Sequence, residues 1–107
     1  MTPAPSISVI VPTHNRRAPL EGCLAALTAQ TFDDFEVIVA VDGSTDGTLA
    51  LLESVKRRSA YRLEVLALAH GGRSKARNAA LRAARGAVLV FCDDDVTFER
   101  ETLAPPP

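Results

Sequence analysis

Apolar and polar positions fall in blocks along this chain, and the period within each block predicts its element. Residues 6–11 (SISVIV) form a β-branched run, and Pro12, which has no backbone donor, predicts that a first strand ends there. Thr13, His14 and Asn15 then read as a loop. Pro19 suits a first helical turn, and Leu20, Cys23, Leu24 and Leu27 recur at i, i+3, i+4 and i+7, so an amphipathic helix is expected up to Gln30. Residues 36–41 (EVIVAV) are a near-continuous apolar run, the signature of a parallel strand buried on both faces. That run ends in an acid, Asp42. A polar, glycine-bearing turn over residues 43–48 leads to a second helix with Leu49, Leu52 and Val55 on one face. Lys56, Arg57 and Arg58 close it, cations that suit the negative end of a helix dipole.

A third strand is expected over residues 63–68, and His70, Gly71 and Gly72 break it. Ser74 is the N-cap candidate for a helix over residues 75–85 (KARNAALRAAR), with Ala76, Ala80 and Leu81 or Ala84 on one side and Gly86 just past its end. Residues 88–96 (VLVFCDDDV) read as a buried strand that delivers Asp93, Asp94 and Asp95 to its own mouth. The chain then passes into Pro105, Pro106 and Pro107 without a further strand signal. Four strands alternating with three helices argue for βαβ crossovers and an open parallel sheet with helices on both faces. In such sheets ligands bind beyond the carboxyl ends of the strands. The polar residues after each strand, Asp42 and the Asp93–Asp95 acids among them, are thereby collected on one edge.

Composition narrows this picture. With 107 residues, 47% hydrophobic and 23% charged, the chain suits one domain with a modest core. A net charge of −1 gives no footprint for nucleic acid or an anionic membrane, so any ligand needs a local site. Cys23 and Cys92 read as reduced, packed thiols. Neither a signal-like N-terminus nor a run long enough to span a bilayer is visible, so a cytoplasmic protein is expected, peripheral at a membrane only through a longer parent.

The acids carry the candidate chemistry. Carboxylates 5–6 Å apart repel by about 0.7 kcal/mol in water and about 3 kcal/mol in a partly buried site. A hard divalent ion, Mg2+ or Mn2+, relieves this, although an Asp triplet also suits a solvated turn. Arg73, Lys75 and Arg77 at a helix start suit a diphosphate on the other side of such an ion. Asp42 is either a turn-former or an acceptor for a base N–H. Neither GxxxxGK[ST] nor GxGxxG is present, which weakens the common phosphate-loop readings. A receiver-type phosphotransfer domain also places acids at strand ends, but its early-strand Asp has no counterpart where Pro12 and Thr13 follow the first strand.

Four blocks, in order and spacing, carry a resemblance: SVIVPTHNR, QTFDDFEVIVAVDGSTDGT, ARNAALRAARG and VLVFCDDD. Over residues 6–98 the chain closely resembles family 2 glycosyltransferases of the GT-A fold. The resemblance implies a Rossmann-like nucleotide-binding half with about four parallel strands in the order 3-2-1-4. Residues 1–5 and 99–107 are then tails, and the acceptor-binding half is absent. It also implies a nucleotide-diphospho-sugar donor, usually a UDP-sugar, a Mn2+ or Mg2+ ion at the DXD motif, and inversion at the anomeric carbon. By position, Asp95 resembles the acid in direct contact with the metal, and Asp93 the one facing the metal and the sugar or ribose. Asp94 is then the variable middle, and Asp42 is similar to the acid on the uracil edge. His14 stands where a tyrosine commonly stacks on the base, and Val41 where a first acid is usual. Pro12, Thr13 and Asn15 match the nucleotide-facing loop, and Arg77 matches a position near the nucleotide or diphosphate. No residue can be assigned as the acceptor's general base, since Glu99 and Glu101 read as a solvated tail. The expectation is a donor-binding domain, weakly active or inactive alone. The alternative is a stand-alone nucleotide-binding or assembly module whose exposed edge takes up a second copy or a partner chain.

Overall fold

The computed structural model describes residues 4–96 and 102–103. Strands β1 (Ile7–Thr13), β2 (Phe35–Asp42), β3 (Arg62–Leu68) and β4 (Val88–Phe91) alternate with helices α1 (Arg17–Thr28), α2 (Thr48–Arg58) and α3 (Arg73–Ala83). All pairings are parallel, and the order is β3-β2-β1-β4, as the resemblance implied. Side-chain alternation sorts the strands onto two layers. Val9, Val11, Val37 and Val39 face α1 and α2, packing with Leu20, Leu24, Leu27 and Leu52. Ile10, Ile38 and Ala40 face α3, where Ala76 and Ala80 let the helix backbone approach closely. Each buried Val, Leu or Ile contributes about 1.5–3 kcal/mol by leaving water, so this two-sided burial of β1 and β2 fixes the sheet's centre.

Register sets where the polar ends meet. Thr13 lies opposite Val41, and Asp42 opposite Leu68, whereas β4 stops at Phe91 opposite Ile10. The Asp93–Asp95 acids therefore begin beside the last turn of β1. Pro12 does not end β1. The Cys92 N–H donates to the Ile10 carbonyl at 3.0 Å, so alternate residues of β1 turn their backbone toward β4. Pro12 faces that same side just beyond the end of β4, and its missing donor removes no ladder bond.

Other boundaries shift for local reasons. The buried stripe of α2 is Thr48, Leu51, Leu52 and Val55, and Leu49 is exposed. A threonine in the stripe hid its true phase. Helix α3 starts at Arg73, ahead of the Ser74 cap expected, with Gly72 at its N-cap and no side-chain cap. The larger correction concerns β4, which is not a buried strand. Val88, Leu89 and Phe91 are exposed, because β4 is an edge strand and α3 packs over β1 and β2 instead. Phe91 is partly covered by the Arg77 guanidinium, 4.6 Å from its ring centre. Cys23 and Cys92 are free and buried with sulfurs 3.8 Å apart, the packed thiols expected. Leu103 is buried, and its N–H donates to Gln30 Oε1 at 3.0 Å. Glu99 and Glu101 lie outside the described residues.

Helix α3 is tied at both ends to acids of β2. At its C-terminal exit the Arg85 N–H donates to Glu36 Oε2 at 2.8 Å, and Ser8 Oγ donates to the same oxygen at 2.6 Å. Burial raises the Glu36 pKa, but the hydrogen bonds from Ser8 and Arg85 outweigh it and hold the carboxyl below its usual range. Gly86 completes this clasp, donating its N–H to Ser8 Oγ at 2.8 Å. A Cβ on Gly86 would stand 2.6 Å from the Ser8 nitrogen. At the other end of the helix, the partner is Asp42.

Candidate functional site

The site lies at the carboxyl edge of β1 and β2. Asn15 adopts a left-handed φ of 49°, a conformation Asn tolerates better than most residues. Its side-chain oxygen accepts the Thr45 N–H at 2.7 Å, and its own N–H donates to Ser44 Oγ at 2.9 Å. Asp46 accepts the Arg17 N–H at 3.0 Å and the Thr48 N–H at 3.2 Å, capping the starts of α1 and α2 together. Hydrogen bonding from Thr48 leads the causes that hold the Asp46 carboxyl below its usual range. The two loops are thus bound to each other before any ligand arrives.

Asp42, 5% exposed, receives the N–H groups of Gly71 at 2.7 Å and Gly72 at 3.1 Å, and His70 Nδ1 at 3.1 Å. The Gly71 bond foremost, then Gly72 and His70, hold its pKa below the usual carboxyl value against the opposing effect of burial. It therefore stays an ionised acceptor at neutral pH. Gly43 makes this convergence possible. Its φ is +66°, and a Cβ there would stand 2.8 Å from the His70 Cβ, so the loop after β3 lies directly against the end of β2. His14 Nδ1 contacts the main-chain carbonyl of Asp42, and the His14 and His70 rings stack with centres 4.4 Å apart.

The acidic triplet divides its roles in a way spacing did not suggest. Asp94, expected as the variable middle, is the buried member at 2% exposure. It accepts Thr13 Oγ1 at 2.9 Å and pairs with Arg16 Nε at 3.0 Å. Asp93 and Asp95 point outward and pair with Arg73 at 3.3 Å and Arg16 at 3.4 Å. The cation that the acids demand is supplied by two arginines, through exposed pairs worth about 0–1 kcal/mol each. Such weak pairs leave both outer carboxylates open to exchange. These hard oxygen donors suit Mg2+ or Mn2+, which commonly take one or two carboxylates and complete their shell with water and phosphate.

Two cavities flank Pro12. One, of about 300 Å3, is walled by Thr13, His14, Asp42, His70 and Asp94. The other, of about 310 Å3, is walled by Arg73, Arg77, Phe91 and Asp93. Of the residues expected at a site, Pro12, Thr13, His14, Asp42 and Asp94 share the first cavity, and Arg77 and Asp93 share the second. Asn15 and Asp95 line neither. Asn15 holds the loops together instead, and Asp95 is 57% exposed. The sequence reading missed Arg16, and it placed His70 on this edge without giving it a role. Arg16 looks like a helix start, and His70 comes to Asp42 only through the β2–β3 pairing.

Comparison with known proteins gives this geometry a family. The glycosyl transferase family 2 domain matches residues 8–105. The uncharacterized glycosyltransferase EpsJ of Bacillus subtilis is 40% identical over 91 residues, which are 85% of this chain and 26% of that protein. The crystal structure of Staphylococcus aureus TarS 1-349 in complex with UDP-GlcNAc superposes with a TM-score of 0.81 at 38% identity, over 92% of this chain and 29% of that one. The mannosyltransferase PcManGT from Pyrobaculum calidifontis, in complex with GDP-Man and Mn2+, superposes with a TM-score of 0.86 at 32% identity, over 96% of this chain and 31% of that one. The chain spans about a quarter of the length of the EpsJ protein, and its sheet is that of GT-A glycosyltransferases. With the match running from β1 through the acidic strand mouth, the chain belongs to glycosyl transferase family 2.

Proposed function

We propose that this chain is the donor-binding part of an inverting glycosyltransferase, taking a nucleotide-diphospho-sugar, with a UDP-sugar as the first candidate. The observation that carries the reading is the pair of adjoining cavities. One presents an ionised, nearly buried Asp42 beside an aromatic stack, and the other presents arginines beside an outward acid. Asp42 accepts a base N–H, and His14 offers a ring face to the base. Arg73 and Arg77 take diphosphate charge. Mn2+ or Mg2+, held by Asp95 and Asp93, would neutralise the diphosphate as it becomes the leaving group. Arg16 and Arg73 give up their exposed pairs with those acids when the donor arrives. Thr13 and Asp94 keep the motif oriented, and Pro12 and Asn15 shape the loop under the nucleotide. The acceptor's general base is assigned to no residue of this chain. On this reading the chain by itself binds the donor and is weakly active or inactive in transfer. The relatives' ligands support a nucleotide-sugar donor: UDP-GlcNAc in TarS, and GDP-Man with Mn2+ in PcManGT.

The exposed apolar residues of β4 favour a second reading, an assembly module whose edge is covered by further polypeptide. Calorimetric titration of UDP, GDP and UDP-GlcNAc, with and without Mn2+, separates the two. Metal-dependent binding of a UDP species, weakened at least tenfold in Asp95→Ala, is the expected result. A folded sample that binds none of them overturns the donor reading.

A further inference from the structure

The chain has two histidines in 107 residues, and both converge on Asp42. They come from different loops, His14 after β1 and His70 after β3. One nitrogen from each ring and one carboxylate oxygen of Asp42 lie within 4.8 Å of one another, and among the described residues this is the His/Cys/Asp/Glu group so gathered. We propose that His14, Asp42 and His70 form a binding site for a borderline first-row transition ion, Zn2+ foremost, separate from the outward acids Asp93 and Asp95.

Three observations carry this. First, the ligand chemistry is selective: two imidazoles with one carboxylate favour Zn2+ and its neighbours, whereas Mg2+ prefers an all-oxygen shell. Second, one side of the site already has a ligating separation. His70 Nδ1 and Asp42 Oδ2 are 3.1 Å apart, within the chord of about 3.3 Å subtended by two bonds of about 2.0–2.1 Å at a tetrahedral angle. The His14 and His70 rings stack at 4.4 Å, and the donor atoms spread over up to 4.8 Å, so closure requires His14 to leave the stack, which its exposure and that of His70 (64% exposed) permit. Third, the carboxylate is already oriented. The Gly71 and Gly72 N–H groups fix it from behind at 2.7 and 3.1 Å, which is the outer support a metal-ligating carboxylate needs.

In the ion-free geometry each Nδ1 contacts an oxygen of Asp42 that only accepts, a carbonyl for His14 and a carboxylate for His70. Both Nδ1 atoms therefore carry protons. On binding, the ion replaces the proton on each coordinating nitrogen. That proton passes to water or, by change of tautomer, to the Nε2 of the same ring. Water completes the coordination shell, as in sites with three protein ligands.

His14 and Asp42 also wall the proposed base pocket, so ion and nucleotide base compete for them. Titration without nucleotide tests the ion site alone, so its failure leaves the donor reading intact, and failure of the donor reading leaves the site intact. The test is titration of the nucleotide-free chain with Zn2+ by calorimetry, alongside NMR of the two imidazoles and absorption with Co2+ as the coloured substitute. Expected are one equivalent bound, concerted shifts of both imidazoles with a tautomer change, and d–d bands of a low-symmetry Co2+ centre. Affinity should fall at least tenfold in His14→Ala and in His70→Gln and stay within twofold in Asp95→Ala, with circular dichroism unchanged in all three. The proposal is overturned if both histidine variants bind within twofold of the native chain. It is also overturned if Asp95→Ala abolishes binding, or if Co2+ gives thiolate charge-transfer bands that place the ion at Cys23 and Cys92.

Discussion

Replacing Asp94 by alanine removes the only buried carboxylate of the acidic triplet, and the structure sets the size of the effect. Asp94 is 2% exposed and accepts Thr13 Oγ1 at 2.9 Å. A buried hydrogen bond to a charged group is worth about 1.5–3 kcal/mol. The pair with Arg16 adds little, because Arg16 is 46% exposed and screening reduces such a pair to about 1 kcal/mol or less. Asp94→Ala should therefore cost about 2–4 kcal/mol, a large share of the about 5–15 kcal/mol typical of a domain. At an m value of about 1.5 kcal/mol/M, the urea midpoint drops by about 1.3–2.7 M. Asp94→Asn keeps an acceptor for Thr13 and should lose about 1 kcal/mol. Asp93→Ala and Asp95→Ala, both outward, should stay within about 0.5 kcal/mol of the native chain. Urea unfolding followed by circular dichroism on the four variants reads this ordering directly. If Asp93→Ala is as destabilising as Asp94→Ala, the buried bond to Thr13 is not what holds the motif, and Asp94 has no anchoring role distinct from its neighbours.

Two further outcomes follow from the same structure. Glu36, Asp42 and Asp46 all have carboxyl pKa values held below the ordinary range, so their folded-state hydrogen bonds stabilise the protein above the unfolded values of about 4. Urea midpoints should be flat above about pH 5 and fall as the pH drops below about 4 toward the depressed folded values, more gently in Glu36→Gln; a midpoint that rises on acidification refutes this. Glycines should respond with opposite signs in thermal melts. Gly86→Ala drives a Cβ to 2.6 Å from the Ser8 nitrogen and should cost about 1–3 kcal/mol. Gly22→Ala meets nothing within 4 Å on the exposed face of α1 and should gain about 0.5–1 kcal/mol.

Much of this protein is written in its sequence. The unbroken apolar runs of β1 and β2 and the 3.6-residue stripe of α1 specify strands buried on both faces and the helices between them, since period and burial are local properties. The small residues of α3 mark where it packs, and the four blocks of the resemblance carry the strand order and the edge on which the acids gather. What the sequence could not assign is which members of a motif face inward. Asp93, Asp94 and Asp95 are chemically identical, and only the register of β4 against β1 makes the middle one the buried partner of Thr13. Likewise an apolar run does not record what covers it, so β4 reads as interior although it forms the sheet edge. His70 lies 28 residues from Asp42 along the chain, and it becomes a site residue only because β3 pairs with β2 and Gly43 lets the loops touch. Neighbours that distant in sequence are fixed by strand pairing and close backbone approach, and those are properties of the tertiary structure alone.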